Sequence, residues 1–75
     1  MKELVEHIAK SLVSQPEKVV VTVNQVDNVV NIELRTAPED MGKVIGKQGR
    51  IAKAMRSVVK AAGNKANVKV NLDIL

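Results

Sequence analysis

The sequence predicts an α+β domain of two layers, a three-stranded sheet with three helices packed on one face. The order is helix, strand, strand, helix, helix, strand. Two patterns carry this reading. Three stretches, 18–24, 29–36 and 67–75, are β-branched or alternate apolar with polar residues. Three others, 2–14, 38–45 and 50–62, repeat apolar residues at helical spacing. A third observation places the helices: all three strands are apolar on one face, so one face of the sheet is expected to be covered by helices. At 75 residues the chain is a single domain, 1–75, with a thin core.

Taken in order, residues 2–14 form an amphipathic helix. Leu4, Val5, Ile8, Leu12 and Val13 make its apolar side, and Lys2, Glu3, Glu6, His7 and Lys10 the other. Pro16 stops it, because the residue before a proline avoids the helical region. The first strand runs over 18–24, where Val19, Val20, Val21, Thr22 and Val23 favour extended backbone. Val26-Asp27-Asn28 supplies a turn, and the short connection implies an antiparallel hairpin with the strand at 29–36. In that strand Val30, Ile32 and Leu34 share one face, and Asn31, Glu33 and Arg35 the other.

Ala37-Pro38-Glu39-Asp40 opens a short helix over 38–45, with proline at its first position and two acids facing its positive dipole end. Met41, Val44 and Ile45 are its core side, and Gly46 ends it. The third helix, 50–62, has a narrow polar arc of Lys53, Arg56, Ser57 and Lys60. Its apolar arc is wider than one core face needs. Gly63-Asn64 reads as its terminator. In the last strand Val68, Val70, Leu72 and Ile74 alternate with Lys69, Asn71 and Asp73.

The stretch between the last two helices is the candidate site. Gly46-Lys47-Gln48-Gly49 sets two glycines three apart, which lets the backbone turn sharply. It delivers the chain to a helix start, where free N–H groups and the dipole favour an anion. Charge supports an anionic partner. Residues 1–40 hold four basic and seven acidic residues, whereas 41–75 hold eight basic residues and only Asp73. A basic surface kept for solubility would produce the same pattern at Arg56, Lys60, Lys65 and Lys69.

Composition excludes several classes. There is no cysteine and one histidine, His7, so disulfides, thiolate sites and multi-histidine metal sites are out. No carboxylate pair or nucleophile–base pair suggests an enzyme, no cofactor is implied, and no catalytic or metal-binding residue is assigned. The loop lacks the four-residue spacer and Gly-Lys-Ser/Thr ending of a P-loop. No aromatic residue is present, so bases cannot stack on Phe, Tyr or Trp. Early acids and the lack of a long apolar run argue against a signal peptide or membrane span, and place the chain in the cytoplasm.

The strand, short helix, Gly-x-x-Gly loop, helix, strand unit resembles the KH domain. Val44-Ile45-Gly46-Lys47-Gln48-Gly49 follows its signature, and the preceding helix and strand match the type II order, αββααβ. Over the whole chain the sequence is similar to the bacterial KhpA family of small RNA-binding proteins. One position departs from the pattern: many KH domains carry isoleucine three residues after the second glycine, where this chain has Ala52, with Ile51 before it.

The resemblance implies that the loop packs against the backbone of about four single-stranded nucleotides, RNA or single-stranded DNA. Gly46 and Gly49 would admit the phosphate, Lys47 and Arg50 add charge, and Gln48 a hydrogen bond. Lys43 and Lys53 would be outer contacts, and Val44, Ile45 and Ile51 an aliphatic wall for bases; plain core packing is the other reading of these three. Ala54, Val58 and Ala61 lie on one edge of the third helix and form a candidate protein interface. The resemblance agrees, pointing to a homodimer or to a heterodimer with a larger Jag-like KH protein, KhpB. It also implies an RNA chaperone or post-transcriptional regulator linked to cell elongation and envelope homeostasis. The alternative is a dimerisation domain whose glycine loop binds no RNA.

Overall fold

The computed structural model describes residues 1–75. Helix α1 spans Lys2–Leu12, strand β1 Val20–Val26 and strand β2 Val29–Arg35. A short 3-10 turn, Pro38–Asp40, leads into helix α2, Met41–Ile45. Helix α3 spans Arg50–Lys65 and strand β3 Lys69–Ile74. The sheet order is β1-β2-β3, so the α2–α3 pair forms the crossover between neighbouring strands. β1 pairs antiparallel with β2, and β2 pairs parallel with β3. The α+β, αββααβ arrangement expected from the sequence is the one observed.

Alternation along the strands sorts the core. Val30, Ile32 and Leu34 of β2, Val70 and Leu72 of β3 and Val21 of β1 are buried beneath the helices. Val5 and Ala9 of α1, Val44 of α2, and Met55 and Val59 of α3 close the core from above. On the first helix the small Ala9 is wholly buried while Leu4 is 36% exposed, so the buried stripe sits one position round from the expected one. The other sheet face carries no helix and is polar apart from Val20, Val26 and Val29. Asn24, Asn31 and Asn71 lie side by side across the three strands there, and Asn71 Nδ2 donates to Asn31 Oδ1 at 3.0 Å.

Several boundaries differ from expectation, each for a tertiary reason. The first helix stops at Leu12 rather than Ser14, because the N–H groups of Ser14 and Gln15 donate to the Asp40 carboxylate at 3.1 and 3.0 Å. Asp40 is therefore more than a first-turn acid: it is 1% exposed and joins the α1–β1 connection to the start of α2. The first strand starts and ends two residues later than expected, so Val26 belongs to it and Asp27-Asn28 alone makes the turn.

The third helix continues through Gly63 to Lys65. The left-handed residue that ends it is Asn67, at φ 61°. Val68 N–H reaches back to Gly63 O at 2.9 Å and Asn67 N–H to Asn64 O at 3.2 Å, the paired bonds of a Schellman cap. Gly63 instead permits close approach of helix to strand. A Cβ there would lie 2.5 Å from Val70 Cγ2 and 2.9 Å from the Val68 carbonyl oxygen.

Candidate nucleic-acid interface

The chain leaves α2 at Gly46, whose N–H donates to Gly42 O at 2.9 Å. Gly46 then takes φ 74°, ψ 178°, and Gly49 takes φ 74°, ψ 16°. Gln48 between them is also left-handed, at φ 56°. Three positive φ values in four residues make a tight turn, closed by a 3.3 Å bond from Gly49 N–H to Gly46 O. The two glycines are needed for different reasons. At Gly49 the space is open and only the backbone angle excludes other residues. At Gly46 a Cβ would also lie 2.6 Å from Ile51 Cγ1. Ile51, half-buried, folds back over the loop and braces it.

Helix α3 starts directly after Gly49. No side chain caps it and no acid lies in its first turn, so its first N–H groups and positive dipole end remain open to an anion. Lys47, Gln48, Arg50 and Lys53 are exposed around this point, and none of the three cations is in an ion pair. Free cations beside uncapped N–H groups favour a phosphate.

Two expected contacts sit differently. Val44 is wholly buried in the core, so it supports the loop from behind and offers no surface to a base. Lys43 is turned toward the α1–β1 connection: its ammonium lies 3.4 Å from Asp40 Oδ1 and donates to Ser14 Oγ. Burial raises the Asp40 pKa, but the Ser14 and Gln15 N–H bonds and the Lys43 cation outweigh it and hold the carboxyl below its usual 3.8. Ile45 is 36% exposed at the end of α2, while Ala52, in the place many KH domains give to isoleucine, is buried.

A groove of about 700 Å³ runs between α3 and the outer edge of β3. Arg56 and Lys60 line it from the helix, and Lys69 and Asn71 from the strand. Arg56 Nε donates to Leu72 O at 3.1 Å, fixing its guanidinium against the strand edge. At 100° per residue Arg50, Lys53, Ser57 and Lys60 form one stripe, leading from the glycine loop along the helix to this groove. Sequence reading had placed Arg56, Lys60 and Lys69 on a general basic surface. The signal that separates Lys60 is its helical phase with Lys53, whereas Arg56 lies about 120° round the helix from Arg50 and is placed by its bond to Leu72 O. Ala54, Val58 and Ala61 lie on the neighbouring stripe of α3, all exposed, Val58 to 44%.

No helix is long and apolar enough to cross a membrane. A family model described as the KhpA/KhpB KH domain matches residues 2–74. The RNA-binding protein KhpA of Clostridium perfringens is 61% identical over 75 residues, covering 100% of both chains. The RNA-binding protein KhpA of Clostridium acetobutylicum is 56% identical, again over 100% of both. The protein of that name from Aquifex aeolicus is 49% identical over 100% of this chain and 95% of its own.

Proposed function

The chain belongs to the KhpA/KhpB family of KH domains, and from that premise we propose that it binds single-stranded RNA through the loop Gly46–Gly49. The family is one of RNA-binding proteins rather than enzymes. The observation that carries the reading is the conjunction at α3's start: two left-handed glycines, an uncapped helix end, and unpaired Lys47, Arg50 and Lys53. Phosphates pack on the loop, held by N–H groups, Lys47 and Arg50, with Gln48 donating a hydrogen bond and Lys53 an outer charge. Bases lie against Ile45 and Ile51 and along the groove, where Arg56, Lys60 and the amides of β3 face them. Stacking plays no part, since there is no aromatic side chain.

The test replaces Lys47 and Gln48 with aspartate, checks the fold by circular dichroism, and measures RNA binding against salt. The variant binds more weakly, and its log–log salt slope is shallower by about 0.7 per lost phosphate contact. Equal binding by both proteins would leave the loop without an RNA role and favour the dimerisation-domain reading. Single-stranded DNA run in parallel measures how much the 2′-hydroxyl contributes.

A second surface is supported by the exposed stripe Ala54, Val58 and Ala61. We read it as the contact for a partner KH protein, a second copy or the larger KhpB, within a cytoplasmic RNA chaperone or post-transcriptional regulator. The link to cell elongation and envelope homeostasis belongs to the same family-based reading. Val58→Glu abolishes a mass increase on mixing with such a partner and leaves RNA binding by the isolated chain unchanged.

A further inference from the structure

The two edges of the sheet are finished differently. The outer edge of β3 is met by Arg56, which donates to Leu72 O. The outer edge of β1 is met by nothing. The two-residue turn makes Val26 and Val29 the closing hydrogen-bonded pair, and pairing alternates from there. The backbone groups of Val21, Val23 and Gln25 therefore point away from β2, and none of them bonds elsewhere in the fold. Devices that usually block a bare edge are missing. The strand Val20–Val26 holds no charge and no proline, and its register with β2 is continuous, without a bulge. It also exposes large apolar side chains: Val20 at 53%, Val23 at 40% and Val26 at 58%. Val23 and Gln25 are exposed on the side that carries the helices, so the helix layer stops short of this edge.

We propose that β1 pairs antiparallel with β1 of a second copy about a two-fold axis through Val23, joining two domains into one six-stranded sheet. The strand is self-complementary in this register. Val23 faces its own copy. Val20 faces Val26 of the partner twice, joining the two most exposed valines of the strand on the open face. Val21 faces the partner's Gln25, and Thr22 its Asn24. The outward groups then form three mutual pairs, about six hydrogen bonds. A shift by two residues, the smallest that keeps the outward groups paired, would put Val20 and Val26 opposite polar residues, Asn24 and Lys18 in one direction, Asn28 and Thr22 in the other. Charge does not oppose the contact at the strand itself, since Val20–Val26 carries no charged side chain, and the basic helix α3 packs on the far strand, β3. Both glycine loops stay free, and the contact is separate from Ala54, Val58 and Ala61.

The chain has no cysteine, so engineered thiols report single positions. A mutual hydrogen-bonded pair has Cα atoms about 5.5 Å apart, within disulfide reach. Under mild oxidation Val23→Cys forms a covalent dimer. Val20→Cys and Val26→Cys each form no disulfide-linked dimer, because like positions lie about 20 Å apart, six residues along the strand. Mixing those two variants yields the crosslink. Should Val23→Cys perturb the fold, the mixing arm, at the more exposed positions Val20 and Val26, decides alone. Separately, Val20→Lys with Val26→Lys weakens association about tenfold or more, and Val20→Lys with Val26→Glu restores it. No crosslink in the mixture, or equal crosslinking of every sample, overturns the proposal.

Discussion

Gly63→Ala tests how α3 is seated on β3. In an isolated helix the change is favourable by at most about 1 kcal/mol, since alanine is the better helix former. Here the added methyl meets Val70 Cγ2 at 2.5 Å and Val68 O at 2.9 Å. Overpacking of that kind costs about 1–3 kcal/mol. The upper part of the range applies, because the Val68 oxygen is backbone and cannot rotate aside. The Schellman bond from Val68 N–H to Gly63 O ties the same two residues together. The net expectation is a loss of about 1–2 kcal/mol, or roughly 4–16 °C in Tm for a domain of this size. Thermal and urea melts followed by far-UV circular dichroism measure it. Adding Val70→Ala relieves the first contact and leaves the second, so Gly63→Ala still destabilises the Val70→Ala background, by less. A variant as stable as the parent, or more so, would refute the reasoning and return Gly63 to the role of a simple terminator.

Other outcomes follow from the same geometry. Gly49→Ala is costly by about 1–2 kcal/mol through its left-handed backbone alone, whereas Gly46→Ala is worse because Ile51 also occupies the space; parallel melts give the order. Asp40→Asn lowers the Tm at neutral pH, since it loses the Lys43 ion pair and one acceptor for Ser14 and Gln15. The Asp40 pKa is depressed on folding, so the stability it contributes is present above its unfolded value of 3.8 and disappears as pH falls through the lower folded value. Melts from pH 6 to pH 2 show this acid-dependent loss in the parent and less of it in Asp40→Asn.

The binding loop was readable in the chain because its signals are local. Two glycines at fixed spacing, a short apolar helix before them and an acid-free helix after them lie within the single stretch Met41–Lys65. Strand faces were readable for the same reason, since alternation requires no knowledge of what packs above. Lys43 and Val44 were not separable in that way. Both flank the loop, yet one is drawn to an acid and a serine 29 residues away, and the other is sealed under the helices. Neighbours in sequence met different neighbours in space.

The amino-acid sequence by itself determined the element order, the one-sided sheet, the absence of stacking chemistry and the concentration of positive charge around Gly46–Gly49. Each depends on periodicity or composition, which nearby residues set among themselves. Only the tertiary structure decided that Asp40 clamps Ser14 and Gln15, that Gly63 serves a close helix–strand contact, and that Arg56 closes one sheet edge while β1 stays open. Those features join residues that are distant along the chain. Close packing and hydrogen-bond geometry select them, and neither is defined until the sheet and helices have met.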